Sequence, residues 1–374
     1  MTELTPPRNA EERIDWLRLI RSRRVGPQTF ARLVAEHGSA AAALDALPGV
    51  AAAAGVAGYH PCPRATAERE FDAGARAGAR LLCRGSADYP PALADLPDAP
   101  PVLWALGDTR LTRRAGIALV GARNASSLGT RMARRLATGL GEAGYTVISG
   151  LARGIDTAAH LAALGSGTIA VMPGGIETIY PLENTGLAAD IARDGLRLSE
   201  QPVGLTPQAR HFPQRNRLIS GLARAVVVVE GAARSGSLIT ARTALDQGRE
   251  VMAVPGHPLD ARAAGCNTLI RDGATLIRSA GDVVEALAGP LPAPRADQPG
   301  LPLGAAEPPA AGPPLAPAVV AARILDLLGP SPVAEDQLIR DLDLPAQDVA
   351  QQILALELDG RVARRAGGML CRPA

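Results

Sequence analysis

The strongest constraint on this chain lies between Ile117 and Val254, where short apolar runs alternate with segments of helical spacing. The runs are Ile117–Val120, Thr146–Ser149, Thr168–Met172, Leu196–Ser199, Ala225–Val229 and Glu250–Val254. Short segments that are apolar on both faces read as strands buried in a parallel sheet. Between them, Thr130–Ala143, Asp156–Leu164, Asn184–Asp194, Asn216–Ala223 and Leu238–Gln247 read as helices. Such strict alternation requires right-handed crossovers. The expected fold class is therefore α/β, a Rossmann-like, doubly wound, mainly parallel sheet.

What ends each run points to chemistry. Gly121-Ala122-Arg123, Ser149-Gly150-Leu151-Ala152-Arg153-Gly154, Pro173-Gly174-Gly175, Arg215-Asn216-Arg217 and Arg234-Ser235-Gly236-Ser237 are loops of small residues and arginines. In an open α/β sheet such loops border one crevice at the carboxyl ends of the strands. Small residues let a ligand reach backbone amides, helix N-termini add positive potential, and arginine adds fixed charge. The ligand class implied is a phosphate or another polyanion.

Composition narrows the means. All 39 basic residues are arginine and net charge is only +2, so the chain is not a polycation and has no lysine for a P-loop. Phosphate contacts must come from guanidinium forks, hydroxyls and backbone. The four cysteines and five histidines show no metal-ligand spacing, and no disulfide framework, metal or cofactor is expected. The glycines after Ile117–Val120 do not spell a dinucleotide fingerprint. The first residues lack the apolar core of a signal peptide and no stretch suits a bilayer span, so a cytoplasmic protein without membrane contact is expected. Aromatics make up 2% of residues, which leaves base stacking only to isolated positions.

The flanks read as separate units. Residues 1–80 are helical in pattern, with breaks at Val25-Gly26-Pro27 and Leu47-Pro48-Gly49, and resemble a small helix-hairpin-helix (SAM-like) domain. From Leu81 to Leu111, prolines punctuate extended and turn segments that open the sheet domain, 81–289. Residues 290–317 hold ten prolines and read as a linker. Residues 318–374 follow three helical patterns, the third at Ala346–Asp359, with a hairpin across Ala366-Gly367-Gly368, a winged-helix layout. Between Ser331 and Ala374 there are seven acids against five arginines, which argues for a protein-interaction or regulatory role over duplex reading. Arg361, Arg364 and Arg365 in the hairpin are the exception.

Two motifs are ambiguous by themselves. Pro173-Gly174-Gly175-Ile176-Glu177-Thr178 is similar to the phosphate loop of nucleotide phosphoribohydrolases, P-G-G-x-G-T-x-x-E, and carries the alternative reading of an enzyme. Glu177 in the third glycine's place, and no acid at the end, take most of its weight. Phe212-Pro213 is expected to fix an extended approach to a helix at Leu218–Leu222, with Arg215, Asn216 and Arg217 placed to meet phosphate and base edge. Asp156 and His160, four apart, are expected to pair or to fix the Gly154 loop.

Several motifs together resemble the DprA/Smf DNA-processing family. They are Ser149-Gly150-Leu151-Ala152-Arg153-Gly154-Ile155-Asp156 with His160, Phe212-Pro213-Gln214-Arg215-Asn216-Arg217-Leu218-Ile219, and Ser235-Gly236-Ser237-Leu238-Ile239-Thr240. Gly121-Ala122-Arg123 stands where the family has Gly-Ser/Thr-Arg, and Tyr180-Pro181 with Asn184 also matches. The resemblance implies a non-catalytic, homodimeric protein that binds single-stranded DNA and delivers it to the recombinase RecA in natural transformation and homologous recombination. It implies Arg123 as leading phosphate contact, Gly150 to Gly154 and Ser235 to Ser237 as small-residue walls, and Asn184 with Arg215 to Arg217 completing the pocket. Gly121, Ser149, Arg153 and Gly174 join the candidate set from their strand-end loops. Leu182 departs from the basic residue many relatives carry there.

Overall fold

The computed structural model describes residues 4–53, 57–288, 316–328 and most of 333–372. Residues up to Ala293 form one compact unit and those from Pro294 a second.

The first unit opens with four helices, α1 (Ala10–Arg21), α2 (Pro27–His37), α3 (Ala40–Ala53) and α4 (Arg64–Arg76). Asn9 caps α1 by accepting from the Glu12 amide, and α2 starts at Pro27, whose ring fixes φ near the helical value, after an extended Gly26. The expected break at Leu47-Pro48-Gly49 is absent: α3 runs through it. Leu44, Leu47 and Ala51 continue one buried stripe, and that burial outweighs the hydrogen bond Pro48 removes.

The sheet follows as β1 (Arg80–Cys83), α5 (Pro91–Ala94), β2 (Val102–Gly107), β3 (Gly116–Gly121), α6 (Ser127–Glu142), β4 (Thr146–Ser149), α7 (Ile155–Ala163), β5 (Thr168–Val171), α8 (Thr185–Asp194) and β6 (Leu196–Ser199). Then come α9 (His211–Leu222), β7 (Ala225–Glu230), α10 (Gly236–Asp246), β8 (Glu250–Ala253), α11 (Ala264–Arg271), β9 (Thr275–Leu276) and α12 (Ala280–Ala288). The strand order is β1-β2-β6-β5-β4-β3-β7-β8-β9. From β6 to β9 every pairing is parallel, as the alternation predicts. The segment read only as an extended lead-in supplies β1 and β2, which extend the sheet as an antiparallel edge on β6. Its prolines flank these strands and do not interrupt them.

Strand side chains alternate between two cores. Ala118, Val120, Val226 and Val228 pack with Leu218 and Ala241 of α9 and α10, while Ile117, Leu119, Val227 and Val229 pack with Leu136 and Ala159 of α6 and α7. The chain winds outward from β3 in both directions, so the order reverses between β3 and β7. That reversal opens a crevice at their carboxyl ends.

The N-terminal helices share a core with the β1–β2 edge and α8. Glu70 of α4 is buried, accepts from Trp104 Nε1 at 2.9 Å, and takes Arg21 through Nε at 3.0 Å and Nη2 at 2.9 Å. Arg21 Nη1 also donates to the Glu200 carbonyl at 3.1 Å. Every heavy polar atom of that carboxylate is thus paired, which keeps a buried charge tolerable.

In the second unit, α13 (Pro317–Leu327), β10 (Val333–Ala334), α14 (Glu335–Leu342), β11 (Ala363–Arg365) and β12 (Met369–Cys371) are described, with strand order β10-β12-β11. The expected hairpin is present and β10 adds a third strand. Of the third expected helix, Val349, Ile353 and Leu356 lie in the core with Ile324 and Leu338. Asp348, Gln352 and Ala355 are helical with them, while other positions of that stretch, and 290–315 of the expected linker, fall outside the described residues. No described helix is long and apolar enough to cross a membrane.

α4 meets the sheet through Gly74, where an added Cβ would lie 2.2 Å from the ring of the buried Trp104. Gly74→Ala is expected to lower stability by about 1–3 kcal/mol despite alanine's better helix propensity. The readout is a lower urea midpoint with an unchanged m-value.

Candidate functional site

The crevice floor is a pair of loops that touch backbone to backbone. Gly121 ends β3, and Ala122 donates its amide to the Glu230 carbonyl at 2.7 Å. Opposite, Gly154 has φ +75°, and a Cβ there would lie 2.3 Å from the Ala122 carbonyl oxygen. Only glycine suits both the torsion and the approach.

The loop Gly150–Gly154 is held from below. Leu151 is fully buried with φ +57°, an unfavourable torsion for leucine. Asp156 accepts from the Gly150 amide at 3.1 Å and the Ala152 amide at 3.3 Å. His160 Nε2 accepts from the Leu151 amide at 3.3 Å. Its Nδ1 therefore carries the proton and donates to Thr168 Oγ1 at 2.7 Å, whose hydroxyl donates to the Val147 carbonyl at 2.9 Å. Asn184 Nδ2 donates to the Leu151 carbonyl at 2.9 Å. Asp156 and His160 thus fix the loop and do not pair with each other.

Arg215 completes the clamp. It is buried, and its Nη1 donates to the carbonyls of Gly150 and of Val171, the latter at 2.8 Å. Burial lowers its pKa to about 10, with the Asp156 charge acting against that shift. Burial likewise raises the Asp156 carboxyl and takes His160 down to about 3. Arg215 Nε has no hydrogen-bond partner.

α9 begins at His211, so Phe212-Pro213 is not an extended approach but part of the first helical turn. Proline is tolerated there because the first four helix amides have no intrahelical acceptor. The correction matters: starting the helix at His211 places Phe212, Arg215 and Asn216 along the crevice and turns Arg217 away from it. Arg217 Nη1 donates to the Asp98 carbonyl at 2.9 Å, and its guanidinium pairs with Glu200 and, at 3.5 Å, with Asp98. It staples α9 to the end of β6.

Two adjoining recesses result. The larger, about 580 Å³, is bordered by Gly121, Arg123, Asn216 and Ser235 to Ser237, with Arg215 at its base. No side chain caps the start of α10, so the first amides of this helix stand at the recess wall beside the Ser235 and Ser237 hydroxyls, themselves 2.7 Å apart. The smaller, about 270 Å³, is bordered by Gly150, Arg153, Tyr180 and Phe212. Arg123 is exposed, lies 4.9 Å from the Phe212 ring centroid, and has no carboxylate partner among the described residues. Arg153 is also exposed but pairs with Glu183 at 2.6 Å.

The structure therefore brings together Gly121, Arg123, Gly150, Arg153, Arg215, Asn216, Ser235, Gly236 and Ser237. It places the other candidates elsewhere. Ser149 is buried and donates to the Leu119 carbonyl at 2.6 Å. Gly154 and Asn184 support the loop from behind. Gly174 is packed under the segment at Leu205–Pro207, where its Cβ would lie 2.7 Å from the Leu205 carbonyl oxygen. Tyr180 and Phe212 were absent from the candidate set; only their place in two family motifs hinted at them. An exposed guanidinium without a carboxylate partner among the described residues, uncapped helix amides and paired hydroxyls meet at the switch point and define an α/β protein with a strand-end crevice of positive potential.

The comparisons agree with that class. Residues 80–288 match the model of the DNA recombination-mediator protein A family, residues 10–73 a DprA-like N-terminal helix-hairpin-helix domain, and residues 307–368 a DprA winged-helix domain. The chain belongs to this DprA/Smf family. It is 45% identical to the DNA processing protein DprA of Bacillus subtilis over 213 residues, 56% of this chain and 72% of that one. The crystal structure of DNA processing protein A from Streptococcus pneumoniae superposes with TM-score 0.62 at 32% identity, covering 75% of this chain and 98% of that one. DNA processing protein A from Helicobacter pylori, studied for its single-stranded DNA binding mode, superposes with TM-score 0.52 at 29% identity, covering 56% and 95%.

Two outcomes follow from the supports. His160 stays neutral when folded down to about pH 3 but takes a proton near pH 6.5 when unfolded. Its stabilisation is complete above pH 6.5 and declines as pH falls through that window, by up to about 1.4 kcal/mol per pH unit. Asp156, raised by burial, acts in the opposite sense, so the comparison is with His160→Gln. Melts from pH 6.5 to 4 should show a shallower loss of stability in that variant. Separately, Arg217→Met, which removes the ion-pair partner of the half-buried Glu200 carboxylate, should cost about 1–3 kcal/mol in urea melts.

Proposed function

We propose that this chain binds single-stranded DNA along the two recesses and, as a homodimer, delivers it to RecA during DNA uptake and homologous recombination, without catalytic turnover. One observation carries the DNA part: Arg123 has no carboxylate partner among the described residues and stands at the switch point, between the uncapped start of α10 and the glycine loop. The ordered arrangement of cation, amides and hydroxyls suits a phosphodiester path, and the relative from Helicobacter pylori is described by its single-stranded DNA binding. The open edge at β9, with Leu276 43% exposed, is the surface that fits a second copy. The acid surplus of the winged-helix unit supports a protein-contact role for it, and a cytoplasmic setting suits a recombinase partner.

The alternative, a nucleotide phosphoribohydrolase-like enzyme, loses its site. The Pro173-Gly174-Gly175 loop is buried and Gly175 spends its amide on the Leu205 carbonyl at 2.9 Å. No free base should be released from nucleoside monophosphates at high protein concentration.

Anisotropy titrations with single- and double-stranded oligonucleotides, with and without residues 318–374, test the reading. Single strands should be preferred in both forms. Arg123→Ala should weaken binding and reduce the log–log salt slope by roughly 0.7. Arg217→Met, outside the trough, should leave that slope unchanged. An Arg123→Ala slope equal to wild type would remove the site from this crevice. Faster RecA assembly on single strands in the presence of the protein, and a dimer mass lost on Leu276→Arg, test the remaining parts.

A further inference from the structure

α6 buries one face and leaves another uncovered. Ala133, Leu136, Ala137 and Leu140 sit in the core with Ile117 and Val227. Leu128, Arg131, Met132 and Arg135 follow at i, i+3, i+4 and i+7, a spacing that aligns them on a single different face. Leu128 is 70% exposed, both arginines are exposed and Met132 is half-buried. A lone surface leucine is ordinary. Here it joins a groove of about 560 Å³, in which Met132, Val254 and Pro255 continue the apolar surface.

The far wall of the groove is the loop from Pro255 to Ala263, and it is stiff. Asn267 accepts from the Gly256 amide at 3.1 Å and donates to the Gly256 carbonyl at 3.0 Å. Asp260 accepts from the Arg262 amide at 3.0 Å and from its Nε at 3.1 Å. Glu230, at the foot of the groove, is buried, accepts from the Ser126 amide at 2.9 Å and pairs with Arg262 at 3.4 Å. Both carboxylates of the groove are therefore answered by Arg262. Arg131 and Arg135 make no ion pair or hydrogen bond among the described residues, so the surplus potential of the groove is positive. It shares no lining residue with either recess of the crevice, and no Phe, Tyr or Trp among the described residues lines it.

We infer that this groove is a docking site for an acidic peptide segment of a partner protein, with apolar side chains laid between α6 and the Pro255–Ala263 loop and carboxylates on Arg131 and Arg135. The charge selects the occupant. An aliphatic trough rimmed by two unanswered guanidinium groups suits a segment that carries acids and leucine-like anchors together, the pairing used in helix-in-groove and acidic-motif recognition. The four residues of α6 span roughly 10 Å, the length of two turns of a docked helix. A nucleic acid strand would find no aromatic platform here and would leave the apolar wall uncovered. The stiff loop spares the ordering that docking would otherwise demand. The inference goes beyond the DNA reading and does not rest on it.

The test uses the full-length protein and a fluorescein-labelled peptide of leucines and aspartates at helical spacing, with controls in which lysine replaces aspartate or alanine replaces leucine. Only the parent peptide should bind, and oligothymidylate should not displace it. Arg131→Glu with Arg135→Glu should weaken it about 10-fold or more, and Leu128→Ser about 5-fold with the salt dependence kept. These positions are exposed, so urea midpoints should match wild type. Equal binding of the lysine peptide, no binding of the parent, or wild-type affinity in the charge-reversed protein would overturn the inference. So would a salt slope for oligothymidylate lowered by the charge reversal as Arg123→Ala lowers it, which would make the face part of a DNA track. A dimer mass lost on Leu128→Ser would overturn it in favour of a contact between copies.

Discussion

The geometry of the crevice depends on how one buried cation and one buried anion hold a five-residue loop. Arg215 draws the Gly150 carbonyl down from above α9, and Asp156 draws the Gly150 and Ala152 amides toward α7. Each charge answers backbone dipoles as well as the other charge, which is what makes their burial sustainable. With donors and acceptors of the loop satisfied from beneath, Leu151 can be held in a left-handed torsion and buried completely. The loop's upper face is then set at a fixed height against Arg123, a rigid wall instead of an adaptable one. Preorganisation of this kind reduces the ordering that a ligand of the crevice would otherwise impose on the protein.

α9 links this clamp to the rest of the first unit. One flank carries Phe212, Arg215 and Asn216 to the crevice, and the other carries Arg217 to Glu200 and Asp98. Glu200 meets Arg21 of α1 through its carbonyl, and Arg21 meets Glu70, which meets Trp104. A continuous path of charge-assisted hydrogen bonds therefore runs from the N-terminal helices to the helix that builds the trough. Its position explains why the N-terminal helices and the sheet share a core although their sequences read as separate modules.

Legibility in the sequence followed from range. The βαβ alternation was plain because it is local: each strand announces itself by apolar run, each helix by spacing. β1 and β2 were read only as extended because an antiparallel edge is recognisable only from the partner it pairs with, here β6. The start of α9 was misplaced because Pro213 signals a break in general and is harmless in a first turn, a distinction that needs the helix boundary itself. Arg215 and Arg217 look identical in the chain, two arginines flanking an asparagine. Their environments share nothing: one is sealed under a glycine loop and the other is answered by two acids from distant segments, Asp98 and Glu200.

The sequence by itself determined the doubly wound sheet, the small-residue and arginine-bearing strand ends, and the membership that those motifs carry, because all of these are encoded by residues near one another along the chain. Only the tertiary structure decided which arginines of the crevice motifs meet carboxylates, which polar residues hold the glycine loop from beneath, and that Tyr180 meets Phe212 at the rim. Charge compensation and burial depend on what arrives from elsewhere in the fold, and side chains thirty or a hundred residues apart have no spacing by which to declare that they will meet.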